Sequence, residues 1–191
     1  MAARDRLTAS AIALLQRNGV AGTGIAELLE HSGIARRTVY LNFPGGKAEL
    51  IAAAAASAGQ AISETIRRFA AEADPVDAVE AFIAVWQDTL VGSDFHAGCP
   101  IVAAALGRSE APDAADIAGQ MFTDWEALLA AKLEAADVAP DVAGQLATTI
   151  IAAIEGAVIM SLATRSSSPL QRTGQQVVDL VARHTRPAEA E

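Results

Sequence analysis

Between positions 36 and 41 the chain reads Arg36, Arg37, Thr38, Val39, Tyr40, Leu41. If this is a short helix with Val39 turned inward, Arg36 and Tyr40 share one exposed stripe. Arg37 and Leu41 share the next, because residues four apart are neighbours on a helix. An arginine can meet a guanine edge with two donors at once, while threonine and tyrosine hydroxyls suit phosphate oxygens. The chemistry open to such a face is the reading of duplex DNA. Two arginines on a short helix also describe an ordinary solvated charged face, so the surrounding elements must decide.

Those elements describe a reading head. Leu7, Ala11, Leu14 and Leu15 recur on one helical face that stops near Asn18-Gly19, a usual helix end. Thr23 is placed to cap a second helix with Ile25, Leu28 and Leu29 inward, and Ser32-Gly33 breaks it after barely two turns. A third helix, about Ala35 to Leu41, has Ile34, Val39 and Phe43 as buried anchors. Three short helices with a glycine turn between the second and third make a helix-turn-helix unit.

No other constellation carries chemistry as strongly. No Ser/His/Asp, Cys/His or paired-carboxylate set can be assembled from the loops, so no enzyme is expected. His31, His96 and His184 are scattered, no metal-ligand spacing or Gly-rich phosphate loop occurs, and no cofactor or metal is expected. Cys99 is the one cysteine and cannot pair within the chain. It reads either as a small buried side chain at a helix start or as a reactive or pocket thiol, with no basic neighbour or second cysteine to activate or resolve it.

Composition sets the frame for the rest. The 191 residues are 52% hydrophobic but 4% aromatic, and 45 are alanine. That balance favours helices over sheets and gives enough apolar surface for a real core. The longest apolar stretch, Ile150 to Ala163, contains Glu155 and falls short of the roughly 20 residues of a spanning helix. The N-terminus opens on Arg4, Asp5 and Arg6 without an apolar run, so neither membrane nor secretory signal is expected and a cytoplasmic location is. The net charge of −9 argues against nucleic acid until it is divided. Residues 1–50 hold six basic and four acidic groups, and residues 51–191 hold eight basic and nineteen acidic ones. The acid sits away from the reading head.

Beyond Pro44-Gly45-Gly46 the chain reads as six further helices. One carries Leu50, Ala54, Ala58, Ile62, Ile66 and Phe69, and the next opens at Asp74-Pro75. Others start near Pro100, Pro112 and Pro140, and the last runs from about Pro169 to His184. Large side chains are scarce, so their clustering matters: Phe82 and Trp86 lie one turn apart, as do Met121 and Trp125, with Phe122 beside them. Such a cluster is either plain core or the lining of an apolar pocket, with His96 and Cys99 in the adjoining loop as further candidate contacts. In the helix after Pro140, Ile150, Ile154, Ala157, Val158 and Leu162 leave little polar face. A helix apolar on most sides is buried on most sides, which suggests a seam shared with Val177, Leu180 and Val181 of the last helix.

The run from Gly19 to Leu50 resembles the TetR family of bacterial transcriptional regulators. The family pattern falls here on Gly19, Thr23, Gly33-Ile34, Tyr40, Asn42, Phe43 and Lys47. The likeness implies that Thr23, Tyr40 and Lys47 grip phosphates while Arg36, Arg37 and Thr38 face bases, flanked by Leu41 and Asn42. The chain departs from the pattern at Ala35, where a Ser or Thr cap is common, at Leu29, where Ala is usual, and at Asn42, where His is common. Phe43–Lys47, Gly98-Cys99-Pro100-Ile101, Ile154-Glu155-Gly156-Ala157 and Pro169-Leu170 are similar to the branch of lincomycin-resistance repressors. The resemblance implies an inducer cavity in the helical domain and a two-fold dimer paired through the last two long helices.

The expected protein is therefore all-α, with about nine helices. Residues 1–48 form a helix-turn-helix DNA-binding domain, 49–185 a larger ligand-binding and dimerisation domain, and 186–191 a frayed tail. The expected function is a ligand-responsive repressor that binds a palindromic double-stranded DNA operator as a homodimer and is released by a small, largely apolar effector. The alternatives are a helical interaction or small-molecule-binding module that does not use its helix-turn-helix on DNA and, last, a helical enzyme.

Overall fold

The computed structural model describes residues 2–72 and 74–185; the expected frayed tail, 186–191, lies outside the described residues. Among the described residues there are nine helices and no strand. In chain order they are α1 (Ala3–Asn18), α2 (Ile25–Ser32), α3 (Arg36–Asn42), α4 (Gly46–Glu72) and α5 (Pro75–Gly92), followed by α6 (Pro100–Leu106), α7 (Pro112–Glu134), α8 (Pro140–Thr164) and α9 (Ser168–Thr185).

The punctuation follows local chemistry. Gly33 ends α2 at φ 64°, a left-handed conformation that costs glycine little. Asp74 caps α5 by accepting from the N–H groups of Val76 at 2.8 Å and Asp77 at 3.0 Å. Pro75, Pro100 and Pro140 stand in the first turns of α5, α6 and α8, where a missing N–H leaves no bond unmade.

The helices group into two compact units, one of residues up to Ile62 together with His96–Met121, the other of Ser63–Phe95 together with Phe122 onward. The boundaries of these compact units fall within α4 and α7. In the first unit Leu7, Leu15, Leu28, Val39, Phe43, Leu50 and Ile101 form the core. The 96–121 segment is built into it: the Gly98 N–H donates to the Gln16 carbonyl at 2.9 Å, and Gly107 packs directly against Val20.

In the second unit α9 packs on both α8 and α5. Gly174 of α9 admits Ile83 so closely that a β-carbon would stand 3.0 Å from its Cδ1. Buried Ser161 fastens the turn between α8 and α9 by accepting from the Leu170 N–H at 3.3 Å. By length and composition α8 could cross a membrane, with a mean hydropathy of 1.9 over its most apolar window. It is longer than the apolar stretch read from the sequence, because the helix begins ten residues earlier, at Pro140. The core helix of a water-soluble bundle passes the same test, and Ala147, Ile150, Ile154 and Val158 of α8 are buried within the chain.

Candidate DNA-reading face and ligand cavity

α3 is held from behind by apolar anchors and from the side by α1. Val39 and Phe43 are fully buried. The Arg4 guanidinium lies 4.3 Å from the Phe43 ring centroid and donates to the Asn42 carbonyl at 2.5 Å. Arg6 donates to the Ser32 carbonyl at 2.7 Å, which ties α1 to the end of α2. Two cations counted toward the basic charge of the head thus serve to hold it together. Ala35 occupies the N-cap of α3 with no side-chain cap bond, so docking, not capping, fixes this seven-residue helix.

The outward face of α3 presents Arg36, Arg37, Tyr40 and Leu41, all exposed, Leu41 at 69%. Thr38 and Asn42 are half-buried, and the Asn42 amide donates to the Thr38 carbonyl at 2.8 Å. Lys47 forms an ion pair with Glu110 at 2.8 Å. Thr23 departs from expectation. The N-cap of α2 is Gly24, and Thr23 is only 2% exposed, its hydroxyl donating to the Gly19 carbonyl at 2.7 Å. It clasps the α1–α2 turn, because its position before Gly24 turns it into the core and away from solvent.

The second unit contains an apolar cavity, partly open to solvent. Phe69 of α4, Phe82 of α5, Trp125 of α7 and Ile150 and Ile154 of α8 line it. Of the expected pocket residues, only Phe82 and Trp125 are in this lining. Trp86 is buried elsewhere in the same unit, and Phe122 stacks edge-on against Trp125 at 5.4 Å. His96, Cys99 and Met121 belong to the other unit. There Met121 fills the space opened by Gly59, and the Cys99 thiol is buried. Helical spacing placed Phe82 beside Trp86 and Met121 beside Trp125 but could not show which turn of each helix opens onto empty space.

Two charged residues were missed, Lys132 and Glu155, both in the lining. Glu155 had a visible signal, an acid in the middle of an apolar helix. Its Oε2 is buried.

The residues expected at a seam between copies are for the most part covered by their own chain. Ile150, Ile154, Ala157, Val158, Val177 and Val181 are buried within one chain, and Leu162 and Leu180 are half-buried. Contacts of α8 with α9 and α5 account for that burial. A helix apolar all round does not reveal which side meets its own chain. The outer edge of α8 instead exposes Gln145, Thr149, Ala152, Ile159 and Met160, the last two at 50% and 55%.

Comparison with known proteins agrees with this division of labour. Residues 7–54 match bacterial regulatory proteins of the tetR family, and residues 75–176 match the C-terminal domain of LmrA/YxaF-like transcriptional regulators. The chain is 30% identical to the HTH-type transcriptional regulator YxaF of Bacillus subtilis over 183 residues, covering 93% of this chain and 94% of that one. It is 26% identical to the HTH-type transcriptional regulator LmrA of the same organism, covering 94% and 97%. Among solved structures, the regulatory protein TetR from Rhodobacter sphaeroides shares the fold with a TM-score of 0.85 at 16% identity, covering 93% of this chain and 97% of that one. These relatives are transcriptional regulators, not enzymes. With a helix-turn-helix head and a C-terminal domain that both match, the chain belongs to the TetR family of DNA-binding transcriptional regulators, in its LmrA/YxaF-like branch.

Proposed function

We propose that this regulator is a cytoplasmic repressor that binds a palindromic operator as a homodimer and is released by a small, largely apolar effector. The observation that carries the DNA half is the α3 face. Arg36, Arg37, Tyr40 and Leu41 stand exposed on a helix whose Val39 and Phe43 are locked in the core. Arg36 and Arg37 read base edges from this face with Thr38 beside them, Tyr40 holds a backbone oxygen, and Lys47 reaches phosphate once it leaves Glu110. A dimer is needed because two recognition helices must meet half-sites about one turn of DNA apart. The exposed edge of α8 around Ala152, Ile159 and Met160 is the surface best suited to pair them.

The effector enters the cavity beside Trp125. It releases DNA only to the extent that it binds the DNA-incompetent arrangement more tightly than the competent one. The test is footprinting and gel shift on the DNA upstream of the gene itself. Expected is a protected palindrome whose affinity falls steeply with salt, as phosphate contacts require. Binding no tighter than to random DNA rejects the proposal.

A further inference from the structure

We propose that Leu41 is a specificity-determining residue that reads the 5-methyl group of a thymine in each half of the operator. This deepens the DNA-reading role of α3 and rests on it. Leu41 is 69% exposed, the most exposed large apolar side chain of α1–α3. Its neighbours in the last turn of α3 are committed elsewhere. The Tyr40 ring rests against the start of α4, where a β-carbon at Gly46 would stand 3.6 Å from it. The Asn42 amide donates to the Thr38 carbonyl at 2.8 Å, so it is turned back on its own helix. Val39 is fully buried. Leu41 therefore stands out on the stripe that it shares with Arg37, four residues earlier.

A lone exposed leucine is ordinary on a protein surface, but a groove-reading face is not an ordinary place for one. Leucine has neither donor nor acceptor, so it has nothing to give a phosphate or the polar edge of a G·C pair. Set against those groups it would strip their water without replacing the bonds. The thymine methyl is the one apolar group that base-pair edges carry in the major groove. Arg37 on the same stripe suits guanine. Together the two side chains read a guanine and a thymine close to one another.

The experiment uses the full protein and the palindrome it protects, with deoxyuridine replacing thymidine at one symmetric pair of positions at a time. The exchange removes the methyl and leaves every hydrogen-bonding group in place. Burying a methyl is a small apolar gain, so affinity should fall about two- to fivefold per half-site at one symmetric pair. In Leu41→Ala that pair should lose its sensitivity to the exchange, with Tm unchanged because the side chain is exposed. Leu41→Met keeps an apolar tip and should retain the sensitivity. Wild-type affinity unmoved by every exchange overturns the proposal while leaving the DNA-reading role of α3 standing. Sensitivity that survives undiminished in Leu41→Ala also overturns it, and gives the methyl to another side chain. If the wild-type protein prefers no DNA sequence at all, the α3 reading itself fails and this proposal falls with it.

Discussion

The Trp125 indole N–H on α7 donates to the Ser63 hydroxyl on α4 at 2.8 Å, and both residues are buried. The same indole lines the cavity. One side chain therefore touches both the cavity and α4. Ser63→Ala leaves that N–H buried without an acceptor, at a cost of about 1–3 kcal/mol. For a chain of this size Tm should fall by about 2–4 °C per kcal/mol in a thermal melt. In a Trp125→Phe background the same change should cost much less. Equal costs in both backgrounds would show the bond to be unimportant.

Arg36 stands exposed on α3. If it reads a base edge, Arg36→Ala should weaken operator binding by roughly 1–3 kcal/mol and relax the preference at one base pair. Affinity measured across a set of single-base operator variants checks this. A uniform loss over all variants would reassign the residue to phosphate.

Lys47 and Glu110 are both partly exposed, so their ion pair contributes at most about 1 kcal/mol to stability. If Lys47 holds a DNA phosphate, Glu110 competes with that phosphate for the same ammonium. Glu110→Gln should tighten DNA binding with little change in Tm. Lys47→Ala should flatten the dependence of log affinity on log salt by about one. An unchanged slope in Lys47→Ala would remove this residue from the DNA contacts.

Gly107 has no room for a β-carbon, which would stand 2.6 Å from Val20 Cβ and nearer still to Cγ2. Val20 is β-branched and cannot swing aside cheaply. Gly107→Ala should therefore destabilise the first unit by roughly 1–3 kcal/mol. Hydrogen exchange should show lost protection in α1 and α6, and unchanged protection there would contradict the packing.

The edge of α8 exposes Ile159 and Met160. Met160→Glu and Ile159→Glu should shift a dimer towards monomer in analytical ultracentrifugation while leaving Tm of the separate chain nearly unchanged. Glutamate at buried Ile154 should instead unfold the chain. Persistence of the dimer in both surface variants would place the seam elsewhere.

Helix positions and the reading head were legible because both depend on local signals. Gly19, Gly33, Asp74 and the prolines of α5, α6 and α8 mark boundaries through backbone conformation, which is a property of a few adjacent residues. The exposure of Arg36, Arg37, Tyr40 and Leu41 followed from the four-residue helical repeat once Val39 was taken as the anchor. Thr23 misled because a threonine before a helix usually caps it, whereas here Gly24 occupies that position.

What only the tertiary structure decided is which apolar side chain faces what. Ile154 and Val177 look the same in sequence whether they meet a partner copy, their own core or empty space, because burial has no direction along the chain. Packing α9 onto α8 and α5 assigns them to the core, and the same packing leaves a cavity walled by Phe82, Trp125 and Glu155. The sequence by itself determined the helices, the family and the reading face. The three-dimensional arrangement alone decided the cavity, the inward turn of Thr23 and the free edge of α8, since each depends on contacts between residues far apart in the chain.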